Sequence, residues 1–167
     1  LIPELLVKDD DLIKVDKQSK TNLVRLSTTA GVEHVDVQLQ SDGKKKRAHA
    51  YLVPQGAKKT SGVASNLFWD NAEYVLGVDT KGKPERAAEQ HQAFAARIES
   101  LPEAARTDEG VQAVLLFLEH VDVNALSRYA TWPEIVETNP SLTFRLHGNM
   151  DLVCQRPVVV EAIKAEG

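Results

Sequence analysis

The chain has 167 residues, a formal net charge of −4, 43% hydrophobic and 26% charged residues, which supplies apolar material for one buried core and excludes disorder of the whole chain. No run reaches the roughly 18 apolar residues of a membrane helix, and the opening "LIPELLVKDDDLIKVDK" meets charge too early for a secretory signal. The expected protein is soluble, cytoplasmic and without a membrane partner.

In chain order, residues 1–34 give a weak pattern: "KDDDLIKVDKQSKT" is polar and mixed in charge, and "LVRL" and "VEHVDVQL" are the strand-like pieces. Val35, Val37 and Leu39 then alternate with polar residues, Asp42-Gly43 is a hairpin turn signal, and a second alternating run follows. In that run Ala48, Ala50 and Leu52 share one face, and Lys45, Arg47, His49 and Tyr51 share the other. After a loop rich in Gly, Ser and Thr, "DNAEYVLG" reads as a short helix or strand, with Asp70 or Asn71 as N-cap and Gly77 as stop.

"KPERAAEQHQAFAARIES" predicts a helix with Pro84 in its first turn and Ala87, His91, Phe94, Ala95 and Ile98 on one stripe. "TDEGVQAVLLFLEHV" predicts a second, capped by Thr107 or Asp108 and apolar on most faces, and "WPEIVET" a short third. Leu142, Phe144 and Leu146 alternate, "HGN" turns, and Met150, Leu152 and Cys154 alternate again, which predicts a second hairpin. A terminal helix begins at Pro157. Hairpins grouped around helices give an α+β fold, an antiparallel sheet packed with about four helices in a single domain. The boundaries are a poorly assigned segment 1–34 and an α+β domain 35–167.

Motifs of catalysis are missing: there is no G-x-S-x-G elbow, Walker loop, H-E-x-x-H or kinase signature. The single cysteine, Cys154, lacks a His or Cys at zinc-ligand spacing and reads as a buried structural thiol. His91 reads as a histidine at the core edge, and Asp108-Glu109 as a helix start. The expectation is a non-enzyme with no metal and no cofactor; a metal-free nuclease or hydrolase is the weakest alternative.

The charge is uneven. From Gly43 to Trp69 there are six cations, Lys44, Lys45, Lys46, Arg47, Lys58 and Lys59, and no Asp or Glu, which leaves 14 cations against 24 acids elsewhere. Such an island is either a solvated face that guards a sheet edge or a track for a nucleic-acid backbone. Lys58, Lys59, Thr60, Ser61 and Gly62 add hydroxyls and backbone amides able to contact phosphate. Asn66 and Asn71 offer amides for base edges or for capping, with capping favoured at Asn71. Trp69, between Phe68 and a cap, reads as an anchor rather than a wedge between bases.

The order "DGKKKRAHAYLVPQGAKKTSGVASNLFWDNAEYVLGVDTKGKPERAAEQHQAF" resembles the N-terminal region of the large subunit of type I-C CRISPR surveillance complexes, the type I-C Cascade. The basic turn, "LVP", "K-x-T-S-G", "N-L-F-W-D-N-A", "YVLGVD" and "KGKPERA" carry the resemblance, which spans about residues 35–161; "LTFRLHGNMDLVCQRPVV" is similar to the hairpin and helix that follow in that family. The chain then looks like one domain of a longer subunit. The resemblance implies a non-enzymatic part in antiviral defence: inspecting double-stranded target DNA for the protospacer-adjacent motif and holding the displaced strand. Its implied partners are guide RNA, the other complex subunits and a recruited helicase-nuclease. The candidate DNA-binding residues, taken from chemistry and position, are Lys44, Lys45, Lys46, Arg47, His49, Lys58, Lys59, Thr60, Ser61 and Asn66. The alternative is a scaffold domain that docks on other subunits and guide RNA without touching DNA.

Overall fold

The computed structural model describes the backbone of residues 3–7, 21–25 and 37–40, and residues 53–54, 56–57, 62–128, 132–146 and 151–166. Five antiparallel strands form one sheet in the order β3-β2-β1-β5-β4: β1 Pro3–Val7, β2 Thr21–Arg25, β3 Val37–Gln40, β4 Trp69–Asn71 and β5 Ser141–Leu146. The central strand β1 pairs Leu5 with Val24 on one side and with Phe144 on the other. It went unread because Leu5-Leu6-Val7 is a continuous apolar run, whereas a half-buried strand alternates. The α+β reading holds.

β4 passes directly into α1, Ala72–Leu76, so the ambiguous "DNAEYVLG" is a strand followed by a helix. Asn71 is the N-cap, its side chain accepting from the Tyr74 amide at 3.2 Å, and Gly77 ends the helix at φ 70°. A β-carbon at Gly77 would be strained twice, by that φ and by a 3.2 Å approach to the His91 ring. α2, Pro84–Glu99, has proline at its first position. Its predicted stripe packs inward, with Ala87, Phe94 and Ile98 buried and His91 and Ala95 half-buried.

α3, Glu103–Arg106, leads to α4, Glu109–His120. Asp108, not Thr107, caps α4: its Oδ2 accepts from the Gly110 and Val111 amides and from Arg156 Nε at 2.8 Å, while Thr107 donates to the Glu103 carbonyl. α5, Val123–Leu126, and α6, Trp132–Thr138, precede β5, and α7 is Pro157–Glu166. The expected second hairpin keeps an antiparallel contact, while its alternation at Cys154 is corrected. Among the described residues Arg145 and Leu152 form an isolated bridge, and Val153–Gln155 is a 3-10 turn, because Gln155 Oε1 accepts from the Leu152 amide at 2.8 Å and bends the chain toward Pro157. Met150 lies outside the described residues, as do the Asp42-Gly43 turn and the run after it.

The core lies where helices cover β5. Phe144 sits between Phe94 of α2 and Phe117 of α4, with ring centroids 6.3 and 6.0 Å away, separations at which aromatic pairs attract beyond simple burial. All three rings are fully buried, and Thr143 on the opposite face of β5 is buried as well.

Cys154 is buried in the 3-10 turn, and desolvation pushes its thiol up to about 12. A raised folded value stabilises the fold fully below the unfolded thiol's titration and loses that contribution as pH rises from there toward 12. The thiol should resist alkylation at pH 8 in the folded chain and react fully in denaturant. Timed mass spectrometry with iodoacetamide checks this, and full labelling of folded protein within the unfolded chain's half-time would contradict it.

Candidate nucleic-acid interface

The segment before α1 is tied down by side chains at spacings its sequence encodes. The buried carboxyl of Asp70 accepts from the Asn66 amide at 3.0 Å and from the Asn71 amide at 2.8 Å. The Asn66 side-chain oxygen in turn accepts from the Ala57 amide at 2.7 Å. Trp69 donates its indole N–H to the Pro54 carbonyl at 2.7 Å, and Thr143 of β5 donates its hydroxyl to the Phe68 carbonyl at 2.7 Å. Phe68 has φ 67° with its ring fully buried, a conformation that costs energy in a non-glycine residue and is held here by these surrounding bonds. Trp69 thus behaves as an anchor.

This network fastens Ala57 on one side of the lysine loop and Asn66 on the other. Gly62, which follows Ser61, accepts from Arg86 Nη2 of α2 at 3.4 Å. The two described residues that flank the "KKTS" segment are therefore both held, Ala57 by Asn66 and Gly62 by Arg86 of α2.

A second cluster adjoins it. Glu73 of α1 is buried, with Oε1 accepting from Asn139 Nδ2 at 3.1 Å and Oε2 from Thr80 Oγ1 at 3.0 Å; Lys81 Nζ stands 3.5 Å away. Asn139, at φ 44° just past α6, returns the contact by accepting from the Glu73 amide at 3.1 Å. Asp79 Oδ1 accepts from the Lys81 and Lys83 amides, which shapes the loop entering α2. Glu73, Lys81, Lys83, Arg86 and Gln90 line a cavity of about 110 Å³. The sequence reading overlooked this group. Its signal was the spacing of Lys83, Arg86 and Gln90 at i, i+3 and i+7, one helical face.

Of the predicted site residues, Lys44, Lys45, Lys46, Arg47, His49, Lys58, Lys59, Thr60 and Ser61 lie outside the described residues. Asn66 is buried, and its side-chain oxygen is engaged within the loop. His91 has Nδ1 2.9 Å from the Tyr74 carbonyl and Nε2 3.1 Å from that of Leu118, so it ties α1 and α4 to α2. Among the described residues no group of three or more His, Cys, Asp or Glu is placed to hold a metal ion, and no helix is long and apolar enough to cross a membrane.

The family model for the CRISPR-associated protein Cas_Csd1 matches residues 13–166. The chain belongs to this family. No curated protein matches it. The match runs through every described element from β2 to α7, so the fastened loop and the cluster around Glu73 both belong to the Cas_Csd1 region.

Asn66→Ala would remove the side-chain acceptor of the exposed Ala57's amide, a hydrogen bond worth about 0.5–1.5 kcal/mol. The expected result is a lower midpoint in urea denaturation, with an unchanged slope. An unaltered midpoint would show that the bond to Ala57 does not hold the loop.

Proposed function

We propose that this Cas_Csd1 chain is a non-catalytic DNA-recognition domain of the large subunit of a type I-C CRISPR surveillance complex. It contacts the duplex that carries the protospacer-adjacent motif and the displaced strand, within an assembly that includes guide RNA and other subunits and recruits a helicase-nuclease. The observation that carries this reading is the acid-free basic island joined to a loop with fastened shoulders: six cations lie between Gly43 and Trp69, with Ala57 held by Asn66 and Gly62 by Arg86. A duplex is a line of anions, and lysines and arginine without acidic neighbours neutralise its phosphates. Family membership supports the CRISPR context.

Lysine meets phosphate as a point charge and carries no sequence information of its own. Lys58→Ala and Lys59→Ala in the assembled complex should therefore weaken motif-bearing and scrambled duplexes alike. Each should lower the magnitude of the log K against log salt slope by about 0.9 for every phosphate that is no longer neutralised. Fluorescence anisotropy across a salt series checks this. Unchanged affinity and slope for these variants and for Lys45→Ala/Arg47→Ala, in complexes that assemble normally, would overturn DNA binding by the island and leave a scaffold role.

A further inference from the structure

The cavity at the start of α2 contains a buried polar group that the described fold leaves unsatisfied. Gln90 is 6% exposed, lines the cavity, and makes no hydrogen bond among the described residues. A buried amide without a protein partner costs stability unless a water or a ligand in the cavity takes its hydrogen bonds. The surrounding charge indicates what that partner is. Three cations, Lys81, Lys83 and Arg86, share the cavity with one carboxyl, Glu73, which is already held by Thr80, Asn139 and Lys81.

Asp79 adds a second acid nearby, with Oδ1 bonded to the amides of the loop. Lys83 has no carboxylate partner among the described residues, and Arg86 uses one guanidinium nitrogen on Gly62. The cavity lining therefore brings together the Gln90 amide and the Lys83 and Arg86 side chains as donors. This set matches a tetrahedral anion better than a planar apolar ligand.

We infer that this cavity, lined by Lys83, Arg86 and Gln90, is a phosphate pocket that receives a backbone phosphodiester of the nucleic acid bound by the adjoining lysine loop. The inference rests on the DNA-recognition reading for the identity of the ligand, while the pocket itself rests on geometry. The Arg86 bond to Gly62 ties the cavity to the residue that follows the "KKTS" segment in the chain.

Gln90→Leu separates this role from a structural one, because the two predict opposite effects. Removing an unsatisfied buried amide while keeping the volume should raise the melting temperature of the unliganded chain by roughly 2–4 °C. The same change should weaken duplex DNA binding about tenfold, the worth of one hydrogen bond to a charged group. Lys83→Ala/Arg86→Ala should lower the magnitude of the salt slope by up to about 1, the share of a single phosphate.

Titration of the full chain with inorganic phosphate, followed by NMR, should move the Gln90 side-chain amide signals saturably, and the double variant should abolish that shift. A melting temperature lowered by Gln90→Leu with DNA affinity and slope unchanged, or Gln90 signals indifferent to phosphate, overturns the pocket. The two proposals fail separately. If the Lys58 and Lys59 variants weaken DNA while those at Lys83, Arg86 and Gln90 do not, DNA recognition stands without the pocket; a phosphate response in a chain that binds no duplex keeps the pocket and removes the nucleic-acid ligand.

Discussion

The buried carboxyl of Asp70 is the constraint on which the candidate interface depends. A carboxyl group out of water is costly unless its oxygens are hydrogen-bonded, and here they take the amides of Asn66 and Asn71. Those two bonds have unlike consequences. The first positions Asn66 to hold Ala57, and the second sets Asn71 at the start of α1, where it caps the Tyr74 amide. One side chain thus couples Asn66 and, through it, Ala57 to the helix that carries Glu73.

Glu73 repeats the device three residues later and over a longer separation in sequence. Its bonds to Asn139 join α1 to the turn between α6 and β5, and its bond to Thr80 shapes the passage toward α2. Buried acids at Asp70 and Glu73 therefore organise the surfaces that present Lys81, Lys83 and Arg86. Packing of Phe94, Phe144 and Phe117 fixes α2 and α4 against β5, so these polar bonds act on a rigid base. The cationic side chains stand outside that core, where solvation costs them little.

Local signals were legible wherever one residue acts on its own few neighbours. A cap at Asp70 or Asn71 and another at Thr107 or Asp108, Gly77 as a stop, Pro84 at a helix start and the Ala87–Phe94–Ile98 face all follow from backbone donors and a 3.6-residue period, and the structure chooses Asn71 and Asp108. The same rules failed at β1, whose apolar run lies mid-sheet with β2 and β5 on its flanks. They failed again after Leu152, where a single glutamine side chain turns an alternating pattern into a 3-10 bend. Asn66 was readable as an amide in a loop, yet its choice of Ala57 as partner was not.

By itself the sequence determined the α+β class, the helices with strong caps and stripes, the uneven distribution of charge and the resemblance borne by about residues 35–161. Those properties are local or additive, each set by a residue and its near neighbours. Only the tertiary structure decided that Glu73 meets Asn139, that Arg86 reaches Gly62, and that Gln90 faces a cavity instead of solvent. Each such meeting joins positions distant in the chain or sets a side chain's surroundings, and it depends on how β5 and the helices pack. Periodicity assigns a residue to a face, while packing decides what that face meets.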